Sequence, residues 1–192
     1  YAGSLGKIFR NKIEDFDDGC YLSVDNEIFR KTKKELKVLA NKINIGISWK
    51  SFKNRYSDEK SLTLEDFNNI FKTKNCNFIN LQYGKIEKEV KDYNDKFNKN
   101  IITIDNLDLF NDFDKLACVL KNLDLFITVS NSTAHLAGAL GVKTLLIRPN
   151  NHAVFHYWNQ PGLITPWYKS ISFLDKSKLK NENDIITNYL NI

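Results

Sequence analysis

Apolar and polar positions alternate along this 192-residue chain with two different periods. Short runs rich in β-branched residues are typical of buried strands, whereas apolar positions three or four residues apart are typical of amphipathic helices. The runs predict strands at 43–49, 77–82, 101–104, 125–129, 144–147 and 170–174. The helical spacing predicts a leading helix that ends before residue 44, a helix that starts at the capping-box pattern Thr63-x-x-Asp66, and helices at 87–97, 112–123, 132–140 and 184–190.

This alternation of strands and helices predicts an α/β fold. Parallel strands need helical crossovers, so the expected architecture is a three-layer α/β/α Rossmann-like domain with a mainly parallel sheet. Residues 1–25 follow neither period and are interpreted as a linker lying on the domain. We therefore divide the chain into a linker and leading helix at 1–42 and a Rossmann-like domain at 43–192.

The junction between the predicted strand at 125–129 and the next helix is typical of an anion site. Asn131 or Ser132 can cap this helix, its first N–H groups lack partners within the helix, and the helix dipole adds partial positive charge. Thr133 and His135 lie in the same first turn. We predict that a phosphate binds here, although an ordinary strand-to-helix turn has the same local pattern.

The same helix carries small residues on one face. Ala134, Ala137 and Gly138 present almost no side chain there, so we expect the helix to pack very closely on its sheet. Gly141 supplies a C-terminal stop. Close packing would hold the helix N-terminus in a fixed place beside the sheet.

Polar residues follow several of the predicted strands, and the carboxyl ends of parallel strands meet at one edge of the sheet. The residues predicted to share this rim are Ser48, Trp49 and Lys50, Gln82 and Tyr83, 131–135 and 148–152. Lys50 or Arg55 would supply charge for the phosphate, and Gln82 a contact to a base or ribose. The alternative for each lysine is a solvated surface charge.

The Asp112-x-Asp114 pattern allows two interpretations. It resembles a metal-binding pair of carboxylates, but Asp is also favoured at the start of a helix, and we prefer the cap. We expect no metal and no cofactor. The Walker A, Gly-x-Gly-x-x-Gly and Gly-x-Ser-x-Gly motifs are absent, which disfavours P-loop NTPases, ordinary dinucleotide dehydrogenases and α/β-hydrolases.

The net charge of +5 comes mainly from lysine. No arginine-rich stripe with interleaved aromatics is present, so nucleic acid is not an expected partner. The three cysteines lack disulfide or zinc spacing, which favours a reducing compartment and a cytoplasmic location. No apolar run is long enough to span a membrane, and the start is not a secretion signal. Because methionine is absent, we expect a piece of a longer protein.

An aromatic cluster lies between the last two predicted strands, with Pro166-Trp167-Tyr168 preceded by Tyr157 and Trp158. It could stack on a base or sugar. A plug in the core, or a surface against another domain, would have the same composition.

Several blocks, taken in order, suggest a family. They are Ile45-Gly46-Ile47-Ser48-Trp49, Lys60-Ser61-Leu62, Asn80-Leu81-Gln82-Tyr83-Gly84, 112–124, 130–141 and Pro166-Trp167-Tyr168. From about residue 43 onward the chain resembles the C-terminal half of GT-B glycosyltransferases. In particular, it resembles bacterial proteins that join tetratricopeptide repeats to a heptosyltransferase-like or O-GlcNAc-transferase-like domain.

The resemblance implies a domain that binds a nucleotide sugar. The block with Ser132, Thr133 and His135 would hold the donor diphosphate, and the blocks with Trp49 and Gln82 would line the same cleft. Two positions depart from the family pattern. Asn131 stands where such proteins usually have Asp, and Lys60 stands where they often have Arg, although Lys cannot reproduce a bidentate arginine clamp.

In the GT-B pattern the catalytic base and the acceptor site belong to the N-terminal half, so no catalytic residue is assigned in these residues. The implied reaction is metal-independent transfer of a sugar from a nucleoside diphosphate, with this half stabilising the departing diphosphate. The implied partners are a nucleoside-diphosphate sugar and an upstream half-domain or tetratricopeptide repeats of the same protein. The alternative is a non-catalytic GT-B-like interaction or scaffold module, because a fold does not fix a function.

Overall fold

A computed structural model of the chain describes residues 5–17, 19–39, 41–52, 57–149, 157–159, 162–179 and 185–190. The strands are β1 (Ile43–Ser48), β2 (Cys76–Asn80), β3 (Ile101–Ile102), β4 (Leu125–Thr128), β5 (Thr144–Arg148), β6 (Ile164–Thr165) and β7 (Tyr168–Asp175). The α-helices are α1 (Gly6–Phe9), α2 (Asn26–Glu35), α3 (Ser57–Lys60), α4 (Glu87–Phe97), α5 (Phe113–Lys121), α6 (Ser132–Ala139) and α7 (Ile185–Leu190). Short 3₁₀ helices lie at Ile13–Asp15, Leu36–Leu39, Leu64–Phe67, Ile70–Lys72 and Lys176–Lys178.

The described strands form one sheet in the order β3-β2-β1-β4-β5-β7-β6. Neighbouring strands pair in parallel, except that β6 is antiparallel to β7. The predicted mainly parallel α/β sheet is therefore confirmed. The chain order of the strands reverses between β1 and β4, and in such sheets a ligand crevice lies at the carboxyl ends of the strands beside this point.

Helices cover both faces of the sheet. On one face, α4, α7 and the 3₁₀ helices at 64–72 contribute to a core that contains Ile45 and Ile47 of β1. On the other face, α5 and α6 pack on Phe126 of β4 and on its neighbours. Gly46 of β1 faces this second layer, where an added Cβ would lie 2.5 Å from Leu123 Cδ1.

Two predicted helices differ from the structure. The leading helix ends as α2 at Glu35 and continues as a 3₁₀ helix. The segment after Thr63 is not an α-helix but two 3₁₀ helices, although the capping box with Asp66 is confirmed, with Thr63 N donating to Asp66 Oδ2 over 2.9 Å. Leu64, Phe67 and Ile70 are all buried at a spacing of three, which matches the three residues per turn of a 3₁₀ helix.

Further expectations concern ends and caps. Asp112 is confirmed as a helix cap, because its Oδ1 accepts a hydrogen bond from Lys115 N over 2.9 Å. The short strand β6 was not predicted.

Cys20, Cys76 and Cys118 carry free thiols. Within the described ranges, no helix combines the length and apolar content needed to cross a bilayer.

The segment before α2 packs on the rest of the chain. Tyr21 N and Leu22 N both donate to the carbonyl of Ala139, at 2.8 and 3.0 Å. The ring of Phe16 meets that of Trp167 edge to face, with centroids 4.9 Å apart. The segment thus contacts the end of α6, and the domain division at residue 42 remains a prediction.

Candidate functional site

The N-terminus of α6 lies at the carboxyl end of β4 and is capped by Asn131. Asn131 has an extended backbone, and its Oδ1 accepts a hydrogen bond from Ala134 N over 3.0 Å. Of the two capping residues considered, the structure therefore selects Asn131. Ser132 is left as the first helical residue, with an exposed side chain.

The predicted close packing of α6 is confirmed. Ala134 and Ala137 are completely buried. A Cβ on Gly138 would lie 2.5 Å from Tyr168 Cγ, which is too close for any side chain to be accommodated without movement. Gly141 has a φ of +69° just after the helix, as a glycine stop requires. The sheet therefore fixes the position of the helix N-terminus.

A buried polar network joins the ends of β1, β2 and β4. Gln82 Oε1 accepts from Ser48 Oγ at 3.1 Å, from Trp49 N at 2.8 Å and from Lys50 N at 2.6 Å. Asn131 Nδ2 donates to the same Ser48 Oγ over 2.8 Å. The rim predicted from the sequence thus exists. Gln82, however, is 1% exposed, and its side-chain oxygen already accepts hydrogen bonds from residues at the end of β1.

Trp49 and Lys50 are directed toward α4. Trp49 is buried, and its indole Nε1 donates to Glu89 Oε1 over 3.0 Å. Lys50 forms an ion pair with the other carboxylate oxygen of Glu89. These contacts give both residues a structural role beside the rim, and their predicted contact with a ligand stays a prediction.

A cavity of about 270 Å³, called here the α6 cavity, opens at the helix N-terminus. It is lined by Ser51, Lys60, Tyr83, Ser130, Asn131, Ser132 and His135. Three of the seven residues predicted to bind the nucleotide, Asn131, Ser132 and His135, therefore line it, and Tyr83 of the predicted rim lines it as well. The other four, Trp49, Lys50, Gln82 and Thr133, are absent from its lining, and Thr133 is only 4% exposed.

Lys60 is the lysine among the described residues that line the α6 cavity, and it was not among the residues predicted to share the rim. It lies at the end of α3, twelve residues after the last residue of β1. The chain returns to the strand because Leu62 N donates to the carbonyl of Trp49 over 2.8 Å. The Lys60-Ser61-Leu62 block was the available signal, but contacts with distant residues, including this one and the hydrogen bond from Ser51 N to Ser61 Oγ, show where it folds.

The lining of the α6 cavity favours an anion. Its described residues are one lysine, one histidine, one tyrosine, one asparagine and three serines, and no carboxylate is among them. The N-terminus of α6 adds the partial positive charge of the helix dipole. Arg148, at the end of the neighbouring β5, pairs instead with Asp175 over 2.9 Å. Arg55 and residues 150–152, also considered from the sequence, lie outside the described residues.

The aromatic cluster, which includes Trp158 and Tyr168, contacts two residues that line the α6 cavity. Trp158 is 1% exposed and packs with Phe173 and Ile171. Of the roles predicted for the cluster, Trp158 therefore has that of a plug in the core. Its Nε1 donates to Ser130 Oγ over 3.0 Å. The ring of His135 lies 4.7 Å from that of Trp158, and His135 Nδ1 is 3.1 Å from Tyr168 Oη. The cluster thus supports two residues that line the cavity.

A larger cavity of about 1170 Å³ lies beyond β2, between α4 and the segment after β3, and is called here the β2–β3 cavity. Tyr83 lines both cavities. Its ring lies 5.3 Å from that of Phe52 and 5.3 Å from that of Phe110, and these two rings are 49% and 58% exposed. These three rings are called here the aromatic ridge, and its Tyr83 contributes to both cavities.

Exchanging Asn131 for aspartate tests whether the amide is required. The carboxylate of Asn131→Asp would still cap Ala134 N, but it could not donate to Ser48 Oγ, and it would face the carbonyl of Lys50, which is 3.5 Å from Nδ2. We expect urea denaturation to show a loss of about 1–3 kcal/mol in the free energy of unfolding at neutral pH.

The same environment should raise the pKa of the new carboxyl group, because burial disfavours its charged form. A folded-state pKa above the unfolded value means that the destabilisation grows as the pH rises through the unfolded pKa. The loss should therefore be smaller at pH 4 than at pH 7. A variant as stable as the wild type at both pH values would contradict the donor role of Nδ2.

Known proteins resemble this chain in sequence or in structure. No family model matches it. The protein FlbA of Caulobacter vibrioides is 29% identical over 143 residues, which are 72% of this chain and 23% of FlbA. A glycosyl transferase of family 9 from Veillonella parvula has a similar structure, with a TM-score of 0.61 and 15% identity over 84% of this chain and 44% of that one. The ADP-heptose LPS heptosyltransferase II of E. coli gives a TM-score of 0.62 and 11% identity over 95% of this chain and 56% of that one.

These similarities establish the fold. The chain has the GT-B-like, Rossmann-like fold of the family 9 glycosyltransferases, as the sequence resemblance implied. It spans about half the length of the two solved glycosyltransferases and less than a quarter of FlbA.

Proposed function

We propose that this chain is the donor-binding domain of a glycosyltransferase and that it holds the diphosphate of a nucleoside-diphosphate sugar in the α6 cavity. One observation carries this proposal. A cavity at the N-terminus of a closely packed helix is lined by Lys60, His135 and hydroxyl groups, and no carboxylate is among its described residues. Such a lining matches a ligand that carries negative charge and only accepts hydrogen bonds.

The size of the cavities supports a nucleotide rather than a lone phosphate. The α6 cavity, at about 270 Å³, has room for a diphosphate but not for a whole nucleotide sugar. The β2–β3 cavity is about four times larger and shares Tyr83 with it. In the proposed arrangement the diphosphate lies at α6, and the remainder of the ligand extends past the aromatic ridge.

The proposed reaction is metal-independent transfer of the sugar to an acceptor. The N–H groups of α6 and the charge of Lys60 would stabilise the nucleoside diphosphate as it departs, because negative charge develops on it in the transition state. In this proposal the acceptor site and the catalytic base belong to an N-terminal half of the same protein, and the partner of this domain is that upstream half-domain or tetratricopeptide repeats. The free thiols of the three cysteines favour a reducing, cytoplasmic location.

Calorimetry tests the proposal directly. UDP, GDP and ADP are titrated into the chain, with inorganic pyrophosphate as the probe that lacks a base. We expect heat of binding with at least one nucleoside diphosphate, and competition between it and pyrophosphate. If none of the four ligands binds at millimolar concentration, the donor-binding function is wrong.

The Lys60→Gln variant probes the cavity itself. Removing one charge-assisted hydrogen bond costs about 1.5–3 kcal/mol, so we expect the dissociation constant for the bound nucleoside diphosphate to rise by at least about tenfold. The Lys31→Gln variant removes the same charge on α2, where Lys31 pairs with Glu27 over 2.7 Å, and should bind like the wild type. Equal losses in the two variants would indicate an effect of net charge alone.

A non-catalytic interaction module is the second candidate, and one observation favours it. Leu5, Ile8, Phe9 and Ile13 are apolar but 52–66% exposed, which is typical of a surface that meets another protein segment. Absence of nucleotide binding in the calorimetry above would favour this candidate.

A further inference from the structure

His135 lines the α6 cavity, and its imidazole contacts Tyr168, which does not line the cavity. The hydroxyl of Tyr168, the first residue of β7, lies 3.1 Å from His135 Nδ1. The rings of Tyr157 and Trp158 flank the same imidazole, with centroids at 5.1 and 4.7 Å. The imidazole is therefore enclosed by aromatic rings that restrict its rotation, and any effect of Tyr168 on a ligand passes through it.

The Tyr168 hydroxyl can donate this hydrogen bond to an unprotonated Nδ1 or accept it from Nδ1–H, and donation is the arrangement that uses the phenol proton. Among the described residues, His135 Nδ1 is the hydrogen-bond partner of the Tyr168 hydroxyl. Burial raises the pKa of the Tyr168 phenol, so the hydroxyl keeps its proton at physiological pH. A phenol that donates to Nδ1 requires this nitrogen to be unprotonated, and a neutral imidazole then carries its proton on Nε2.

Ser130 also contacts the aromatic cluster, and the direction of its hydrogen bond is known. An indole N–H can only donate, so Ser130 Oγ accepts from Trp158 Nε1 in their 3.0 Å hydrogen bond. The hydroxyl proton of Ser130 thus stays available for an acceptor elsewhere, and Ser130 also lines the α6 cavity. Ser130 is therefore available as a donor, and His135 is a donor through Nε2 when Tyr168 donates to its Nδ1.

We infer that Tyr168 is a positioning residue that fixes His135 in its Nε2–H tautomer, so that this ring donates a hydrogen bond to an oxyanion in the α6 cavity. The inference rests on the proposed function, because it assumes that the cavity binds a diphosphate. It adds to that function which ligand atoms contact His135, namely unprotonated oxygen atoms. Tyr168 makes no contact with the ligand itself.

The tautomer of His135 is measured in the ligand-free protein by long-range ¹⁵N–¹H NMR of the imidazole rings. The chain has three histidines, so the His135→Gln variant identifies the signals of His135. We expect the Nε2–H tautomer in the wild type and a mixture of tautomers in Tyr168→Phe, which keeps the ring but loses the hydroxyl. The dissociation constant for inorganic pyrophosphate should rise about two- to tenfold in this variant, as the loss of one net hydrogen bond requires.

Tyr21→Phe is the matched control. Tyr21 belongs to the same aromatic cluster, with its ring 6.2 Å from that of Tyr168, but its hydroxyl donates to the carbonyl of Trp167. It should change neither the tautomer of His135 nor the affinity for pyrophosphate. A merely structural role of Tyr168 would lower thermal stability and leave the tautomer unchanged.

The outcomes separate the inference from the function on which it rests. An Nδ1–H tautomer in a wild type that binds pyrophosphate overturns the inference alone. The same conclusion follows if Tyr168→Phe leaves both the tautomer and the affinity unchanged. A wild type that has the Nε2–H tautomer but binds neither pyrophosphate nor any nucleoside diphosphate contradicts the proposed function, and with it the donation to an oxyanion.

Discussion

Replacing Gly138 by valine is expected to lower the free energy of unfolding by about 2–3 kcal/mol. An added Cβ would lie 2.5 Å from Tyr168 Cγ, 2.7 Å from Tyr168 Cδ1 and 2.9 Å from Ile171 Cδ1. The ring carbon Cγ is close to the backbone of β7, so the tyrosine cannot turn aside without moving the strand or the helix. Valine has the better helix propensity, but the gain of about 0.5 kcal/mol is smaller than the cost of the overlap.

Urea denaturation of Gly138→Val and of a control, Ala139→Val, measures this effect. Ala139 is the next residue of α6 and is partly exposed, so the control places the same valine side chain on the same helix with less overlap. We expect the control to lose less than about 1 kcal/mol. Because the overlap displaces Tyr168, Gly138→Val should also weaken pyrophosphate binding. Similar stability losses in the two variants would show that α6 does not depend on this close approach.

The sequence predicted α6 well because its signals are local. A run of small residues, a polar cap and a glycine stop lie within eleven positions, from Asn131 to Gly141. The choice between Asn131 and Ser132 as the cap was left open because both side chains can accept from the helix N–H groups. The buried hydrogen bond from Asn131 Nδ2 to Ser48 Oγ decides it, and this contact joins residues 83 positions apart.

The sequence predicted less of the site, because its side chains depend on contacts between distant segments. Lys50 lies two residues after the end of β1, yet it pairs with Glu89 of α4 and does not line the α6 cavity. Lys60 is farther along the chain but is returned to the strand end by the hydrogen bond from Leu62 N to Trp49 O. Proximity to a strand end in sequence therefore gave the rim, but it did not indicate that Lys60 lines the α6 cavity.

Placing a carboxylate on Ser132 is expected to abolish diphosphate binding while leaving the fold intact. Ser132 is exposed, lines the α6 cavity and is the first residue of the helix. Two like charges about 4 Å apart repel by about 4 kcal/mol near a protein surface, so Ser132→Glu should raise the dissociation constant at least about 100-fold. The buried Thr133 is a poorer choice, because a charge there would also disturb the packing of the helix.

The carboxylate of Ser132→Glu should stabilise the helix although it weakens ligand binding. The effect of this variant on binding can therefore be distinguished from an effect on folding. A negative charge in the first turn interacts with the helix dipole, so the free energy of unfolding of Ser132→Glu should stay equal to that of the wild type or rise by about 0.3–1 kcal/mol. Ser132→Gln has nearly the same size without the charge, and it should bind much more tightly than Ser132→Glu. Raising the salt concentration should narrow this difference, because salt screens the repulsion. Calorimetry with the nucleoside diphosphate and with pyrophosphate measures both effects, and equal affinities of the two variants would place the anion away from α6.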